Sequence, residues 1–340
     1  MSDIHSLIFY IVLFILSTFF YSLYNKSDKK FYLFLSFCIP LFIGGLRYRV
    51  GTDYVNYLNY YNSGFDIDIG FSLISFIAHK LGSFKVLFFI YNFLTLVFVF
   101  LGLSNVDKQN RSIAYFLFLF LYYTTSFNAV RQMLAVSIVF YALKYIVNPN
   151  VFKFIFFVVL ASLFHNTAFI ILLLYPLAVT KNTKIKVLSC LLLLLSLYYF
   201  DQIIMYISSI SFMQHFKMYS VYTDSISFNN YSFYLEMFIF LVILIFRRGI
   251  FDFNSNYKVY FYLYILGLIL MLTGFFNPYV KRISLYFIIS SIILLPTIPL
   301  VCKNPKNKLV MYMFIFGYSV LKFIISVYIL RQSNVIPYNW

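Results

Sequence analysis

Residues able to hold a phosphate and a sugar lie close together near position 50. The run is Gly44-Gly45-Leu46-Arg47-Tyr48-Arg49-Val50-Gly51-Thr52-Asp53-Tyr54, followed by Tyr57, Tyr60 and Tyr61. A planar guanidinium binds phosphate or carboxylate bidentately and tolerates partial desolvation. Glycines let main chain approach a ligand, and tyrosine rings stack on sugar C–H faces. An ordinary interfacial loop explains the tyrosines equally well. It does not explain the Gly-Gly pair or the Arg-x-Arg-x-Gly-x-Asp pattern.

Elsewhere, titratable side chains interrupt apolar sequence. Arg131 falls at or just inside a helix end, where a charge is costly without a partner. Arg282, with Lys281 beside it, opens a later apolar run. Glu236 is the only glutamate and falls inside an apolar segment. It is either a proton-handling group or half of a structural ion pair with Arg131 or Arg282. His165, in Ala161-Ser162-Leu163-Phe164-His165-Asn166, is either a general base or a packed polar plug at a turn. Lys322 sits in mid-segment and fits a pairing across helices. As a general base Asp53 ranks first, then His165, then Glu236. Arg47 and Arg49 would keep Asp53 ionised while weakening its basicity. His5, His79 and His215 have no partners at metal-ligand spacing, so neither a metal nor a cofactor is expected.

These groups need a scaffold, and composition defines it. Of 340 residues, 63% are apolar and 11% charged, against about 25% charged in a soluble domain. Apolar runs suggest spans near 4–24, 31–46, 84–103, 112–127, 130–146, 152–164, 166–180, 187–200, 231–246, 259–276, 283–301 and 309–330. The expected fold is an all-α polytopic membrane protein. It is a bundle of about twelve transmembrane helices, with a short re-entrant or interfacial helix near 69–82. Residues 1–340 form a single integral membrane domain with no separate soluble domain. Pro296 and Pro299 should kink the eleventh span.

Charge sets the topology. Lysines concentrate in alternate connections (26–30, 108–111, 181–186, 247–258, 303–308), which the positive-inside rule makes cytoplasmic. Both termini, residues 47–70 and residues 201–230 then face out. Segment 151–180 is long for one span and short for two, and the charge pattern favours a tight helical hairpin with His165 at its outer turn. In a soluble protein the net charge of +16 would point to nucleic acid. Here topology accounts for most of it, and no nucleic acid is expected. Five of eight arginines (Arg47, Arg49, Arg131, Arg282 and Arg331) nevertheless fall on the lysine-poor side. That bias favours an anionic ligand there.

Taken jointly, several segments resemble one family. They are Arg47-Tyr48-Arg49-Val50-Gly51-Thr52-Asp53-Tyr54 with Tyr57, Ile69-Gly70-Phe71, and Phe127-Asn128-Ala129-Val130-Arg131-Gln132 with Ala135. Next come Ala161-Ser162-Leu163-Phe164-His165-Asn166, Arg282 with Tyr286, and Pro337-Tyr338. In this order they resemble the EpsG family of membrane proteins, relatives of Wzy-type polysaccharide polymerases. One position departs: the family often carries Glu where this chain has Asp68.

The resemblance implies glycosyl transfer at the outer face of a bacterial cytoplasmic membrane, building capsule, exopolysaccharide or O-antigen. The substrate would be an oligosaccharide repeat unit on undecaprenyl pyrophosphate. A chain-length regulator and a flippase would be partners besides the bilayer. Arg47, Arg49, Tyr54, Arg131, Gln132, Lys281 and Arg282 would bind substrate, and Asp53, His165 or Glu236 would take the proton. The rivals are a flippase or exporter of the same lipid-linked sugars, a membrane acyltransferase decorating the glycan, and a non-catalytic scaffold. A transporter should show internal repeats and mid-membrane polar residues. No repeat is visible.

Overall fold

The computed structural model describes residues 1–64, 67–180, 231–273 and 278–340, with isolated positions between 182 and 202. Among the described residues the protein is all-α. Helix α1 (Asp3–Ser27) and α2 (Lys30–Gly45) pack side by side, and short α3 (Tyr54–Ser63) and α4 (Ile69–Lys80) follow. Next come α5 (Phe84–Gly102), α6 (Arg111–Leu121) and α7 (Val130–Val147). The chain continues through α8 (Val151–Ser162), α9 (Asn166–Val179), α10 (Tyr231–Phe253) and α11 (Tyr257–Thr273). It ends with α12 (Val280–Val301), α13 (Pro305–Ile329) and an irregular tail.

Among the described residues five helices are long and apolar enough to cross a membrane: Asp3–Ser27, Phe84–Asn105, Val130–Val147, Val280–Val301 and Pro305–Ile329. Shorter apolar helices occupy most of the other expected spans. The expected span at 187–200 and the loop at 201–230 lie outside the continuously described residues. Burial orders the layers. The apolar stretches of α12 and α7 are 89% and 72% buried, those of α1 and α13 only 28%, so α12 and α7 run through the middle. Helix α4 covers the residues expected for a short interfacial helix, and its Ile69, Leu73 and Phe76 face outward.

Proline breaks are made good by neighbouring helices. Pro40 in α2 has no N–H to offer the Ser36 carbonyl one turn back. Ser17 Oγ from α1 donates to that carbonyl at 2.7 Å, and Tyr115 OH from α6 at 3.0 Å. In an apolar surrounding an unsatisfied carbonyl would cost several kcal/mol. Helix α12 is broken by a 3-10 turn at Leu295–Thr297, as Pro296 and Pro299 predict. Buried Ser284 and Ser290 bend it further by donating to the Lys281 and Phe287 carbonyls.

Helices α8 and α9 form a hairpin. Phe154 near the start of one arm meets Tyr175 near the end of the other, ring centroids 5.2 Å apart, which leaves Leu163–His165 in the turn. The two ends of the bundle differ chemically. At one end Lys108 pairs with Asp28 at 3.1 Å, and Tyr257 OH donates to Asp107 at 2.5 Å. The other end gathers residues 44–70, the α7 start, the α8–α9 turn and the tail. There the tail crosses the loop after α2. Gly51 N donates to Asn334 O at 3.0 Å, Thr52 N to Ser333 O at 3.2 Å, and Tyr48 N to Asn339 O at 2.9 Å. Gly51 is required at this crossing. Its φ is +101°, and a Cβ would lie 2.7 Å from the Phe127 carbonyl oxygen.

A cationic candidate site at the lysine-poor end

Arg131 lies in the first turn of α7 and forms an ion pair with Asp68, the residue before α4. Their side chains are 14% and 1% exposed, so the pair is almost out of solvent. Arg131 Nε also donates to Tyr57 OH of α3 at 3.4 Å. The start of α4 is fixed from the hairpin: Gly70 N donates to Leu163 O at 2.8 Å. A Cβ on Gly70 would sit 2.3 Å from the Phe164 ring, so only glycine allows this approach. Thr167 and Tyr286 hydroxyls meet at 3.3 Å, joining the hairpin to α12. Segments near 53–57, 68–71, 131, 163–167 and 282–286 therefore converge.

Asp53 and His165 feel the same two guanidiniums. Asp53 is half-buried just before α3. Burial pushes its carboxyl above the ordinary value, against the pull of Arg282 and then Arg131. His165 is buried in the hairpin turn. Burial, then the charges of Arg131 and Arg282, push its imidazole well below the ordinary value. It is therefore neutral near pH 7. Two candidate proton acceptors thus stand near cations able to hold an anion.

Arg282 links this cluster to an open cavity of about 230 Å³. Lys281 and Arg282 stand in its wall beside Glu236, Lys322 and the hydroxyl residues Thr125 and Ser326. Phe120, Met271, Leu285 and Phe323 supply an apolar remainder, and Gln332 and Ser333 bring the tail to it. The Arg282 side chain is exposed and makes no salt bridge among the described residues. Its main chain is held, because Gln132 Nε2 donates to Arg282 O at 2.7 Å. Such a space, part charged and part apolar, can accommodate an amphipathic anion.

The other expected site residues are placed differently. Arg47 is 2% exposed and points inward. Its guanidinium lies 4.0 Å from the Phe88 ring centroid and 4.7 Å from that of Phe127, and it donates to the carbonyls of Gly44 and Phe127. Arg49, two residues on, is exposed with φ +52° and lies over Tyr48. The two arginines do not form a joint cradle. Tyr54 is buried against Phe84 and Phe88. Glu236 pairs with Lys322 rather than with Arg131 or Arg282, and Tyr264 OH donates to it at 2.7 Å. Arg331 pairs with Asp3 at the surface.

Asp68 is the site residue that residue types alone did not single out. Its signal was present: it is an acid two residues before a Gly-Phe pair, at the head of a short helix. Nothing local in sequence marks it as the partner of Arg131.

The helices are those of a multi-pass membrane protein in which, at the lysine-poor end, Arg131 pairs with Asp68 and Arg282 lines a cavity. A family model described as the EpsG family matches residues 30–340, and the chain belongs to the EpsG family. No curated protein and no solved structure matches it.

Proposed function

We propose that the protein polymerises oligosaccharide repeat units carried on undecaprenyl pyrophosphate. The observation that supports this most is the convergence of Arg131, Arg282, Asp53 and His165 beside a charged, partly apolar cavity in an EpsG-family chain. The lysine-rich end faces the cytoplasm by the positive-inside rule, so the site faces out. Twelve spans, with the hairpin counted as two, are consistent with that orientation.

The terminal hydroxyl of the incoming unit attacks the anomeric carbon of the growing chain. The new C–O bond forms as the C–O bond to pyrophosphate breaks, and the lipid pyrophosphate leaves with the electron pair. Arg282 and Lys281 stabilise the charge developing on it. Arg131 fixes Asp68, Tyr57 and the hairpin around the acceptor sugar and adds positive potential. Asp53 takes the hydroxyl proton. Burial has raised its basicity despite the nearby cations, which favours it over His165, whose basicity burial lowers.

The Glu236–Lys322 pair, deep between helices, is the one observation that favours a flippase of the same lipid-linked sugars. Deleting the gene separates the readings. Single repeat units accumulating on lipid at the outer face support polymerisation. Units trapped at the inner face support flipping. Normal polymer overturns both.

A further inference from the structure

The polymerisation scheme makes no use of the ion pair between Glu236 and Lys322. Glu236 lies in the second turn of α10, and Lys322 lies in α13 about two turns before its end. Their side chains are 7% and 11% exposed. Tyr264 OH from α11 donates to Glu236 Oε2 at 2.7 Å and to its main-chain oxygen at 3.0 Å. Topology does not call for a lysine at this depth. A charge inside a membrane helix is costly on insertion and is kept where it has a partner or a task. A buried ion pair generally returns less than its desolvation penalty, so packed apolar side chains would fasten these helices as well. Both members, however, stand in the wall of the cavity that holds Lys281 and Arg282.

We propose that Lys322 is an anion ligand of this cavity and that Glu236 is its resting counter-ion, displaced when pyrophosphate enters. This rests on reading the cavity as the pyrophosphate site. Pyrophosphate carries more negative charge than one carboxylate and is drawn also by Lys281 and Arg282, so it competes successfully for the ammonium. Glu236 keeps the Tyr264 hydroxyl when it lets go, and is not stranded. The same carboxylate then competes for Lys322 as product departs. Glu236 thus weakens anion binding and speeds release, a role distinct from proton acceptance.

The sign of one substitution separates this from a structural pair. Purified full-length protein in lipid nanodiscs is titrated calorimetrically with inorganic pyrophosphate. Glu236→Gln keeps the side-chain shape and removes the competitor. It is expected to bind pyrophosphate about tenfold more tightly than wild type, and Lys322→Met about tenfold more weakly. With lipid-linked units, Glu236→Gln should lower KM and kcat together, as slow release requires. Equal or weaker binding by folded Glu236→Gln, or unchanged binding by Lys322→Met, overturns the proposal. If single variants do not fold, the charge-free pair Glu236→Leu with Lys322→Met is used. It should bind as weakly as expected for Lys322→Met, and wild-type affinity there also overturns the exchange. If the affinity pattern holds while the wild type polymerises nothing, the anion exchange stands and the polymerase reading falls.

Discussion

Gln132 and Arg282 are joined by a hydrogen bond from the Gln132 side-chain amide to the Arg282 carbonyl at 2.7 Å. The helix that carries Arg131 therefore also fixes the main chain that carries Arg282. Gln132→Leu should leave the protein inserted and folded, with the Arg282 carbonyl unsatisfied at a cost of about 1–3 kcal/mol. Polymerisation by the purified variant should fall by about a hundredfold, the usual consequence of a 1 Å misplacement. An unchanged rate would remove Gln132 from the site.

The Asp68 pair allows the structural share of Arg131 to be separated from the functional share proposed for it. Removing one partner of a buried pair costs about 3–5 kcal/mol, so Arg131→Met should lower the yield of folded protein. Adding Asp68→Leu should restore yield but not polymer. Full activity in the double variant, measured by chain length in vitro, would show that Arg131 is only a clamp.

Asp53 titrates above its ordinary value because burial penalises its ionised form. The folded protein therefore loses stability as pH rises through the unfolded and then the folded pKa of this group. Asp53→Asn should be more heat-stable than wild type at pH 7, and the difference should close on acidification. Its turnover should be at least about a hundredfold lower if Asp53 is the base. Near-normal turnover by Asp53→Asn, with His165→Ala inactive yet still binding substrate, would transfer the role to His165.

Arg47 and Arg49 should separate sharply. Arg47 is stacked between Phe88 and Phe127 and donates to two carbonyls. Arg47→Ala should cost about 3 kcal/mol or more, seen as loss of folded protein in a thermal assay. Arg49→Ala should stay within about 0.5 kcal/mol of wild type. Any effect of Arg49→Ala on polymer would then be an effect on substrate.

That contrast shows what sequence could and could not convey. Apolar run lengths made the helices legible, the charge pattern of the later loops made the hairpin at 151–180 legible, and Pro296 and Pro299 made the break in α12 legible. Arg131, Arg282, Asp53 and His165 were readable as candidates because charge in apolar sequence is conspicuous. The direction of Arg47 was not readable. It depends on a turn whose main chain is held by residues 333–339, nearly the whole chain away. The partner of Glu236 was equally hidden, because only the packing of α10 against α13 brings Lys322 to it rather than Arg131 or Arg282.

The Pro40 break in α2 has a consequence for biogenesis. The Ser36 carbonyl that it frees is met by Ser17, which precedes it in synthesis, and by Tyr115, which follows about 80 residues later. A nascent α2 leaving the translocon can satisfy that carbonyl at once if α1 stays beside it. The two helices are thus chemically bound to enter lipid as a unit, and α6 docks onto a pair already assembled. Ser17→Ala should burden the newborn chain more than the finished protein, where the tyrosine still donates. It should be read in pulse-labelled membranes as early degradation rather than as a lower melting temperature.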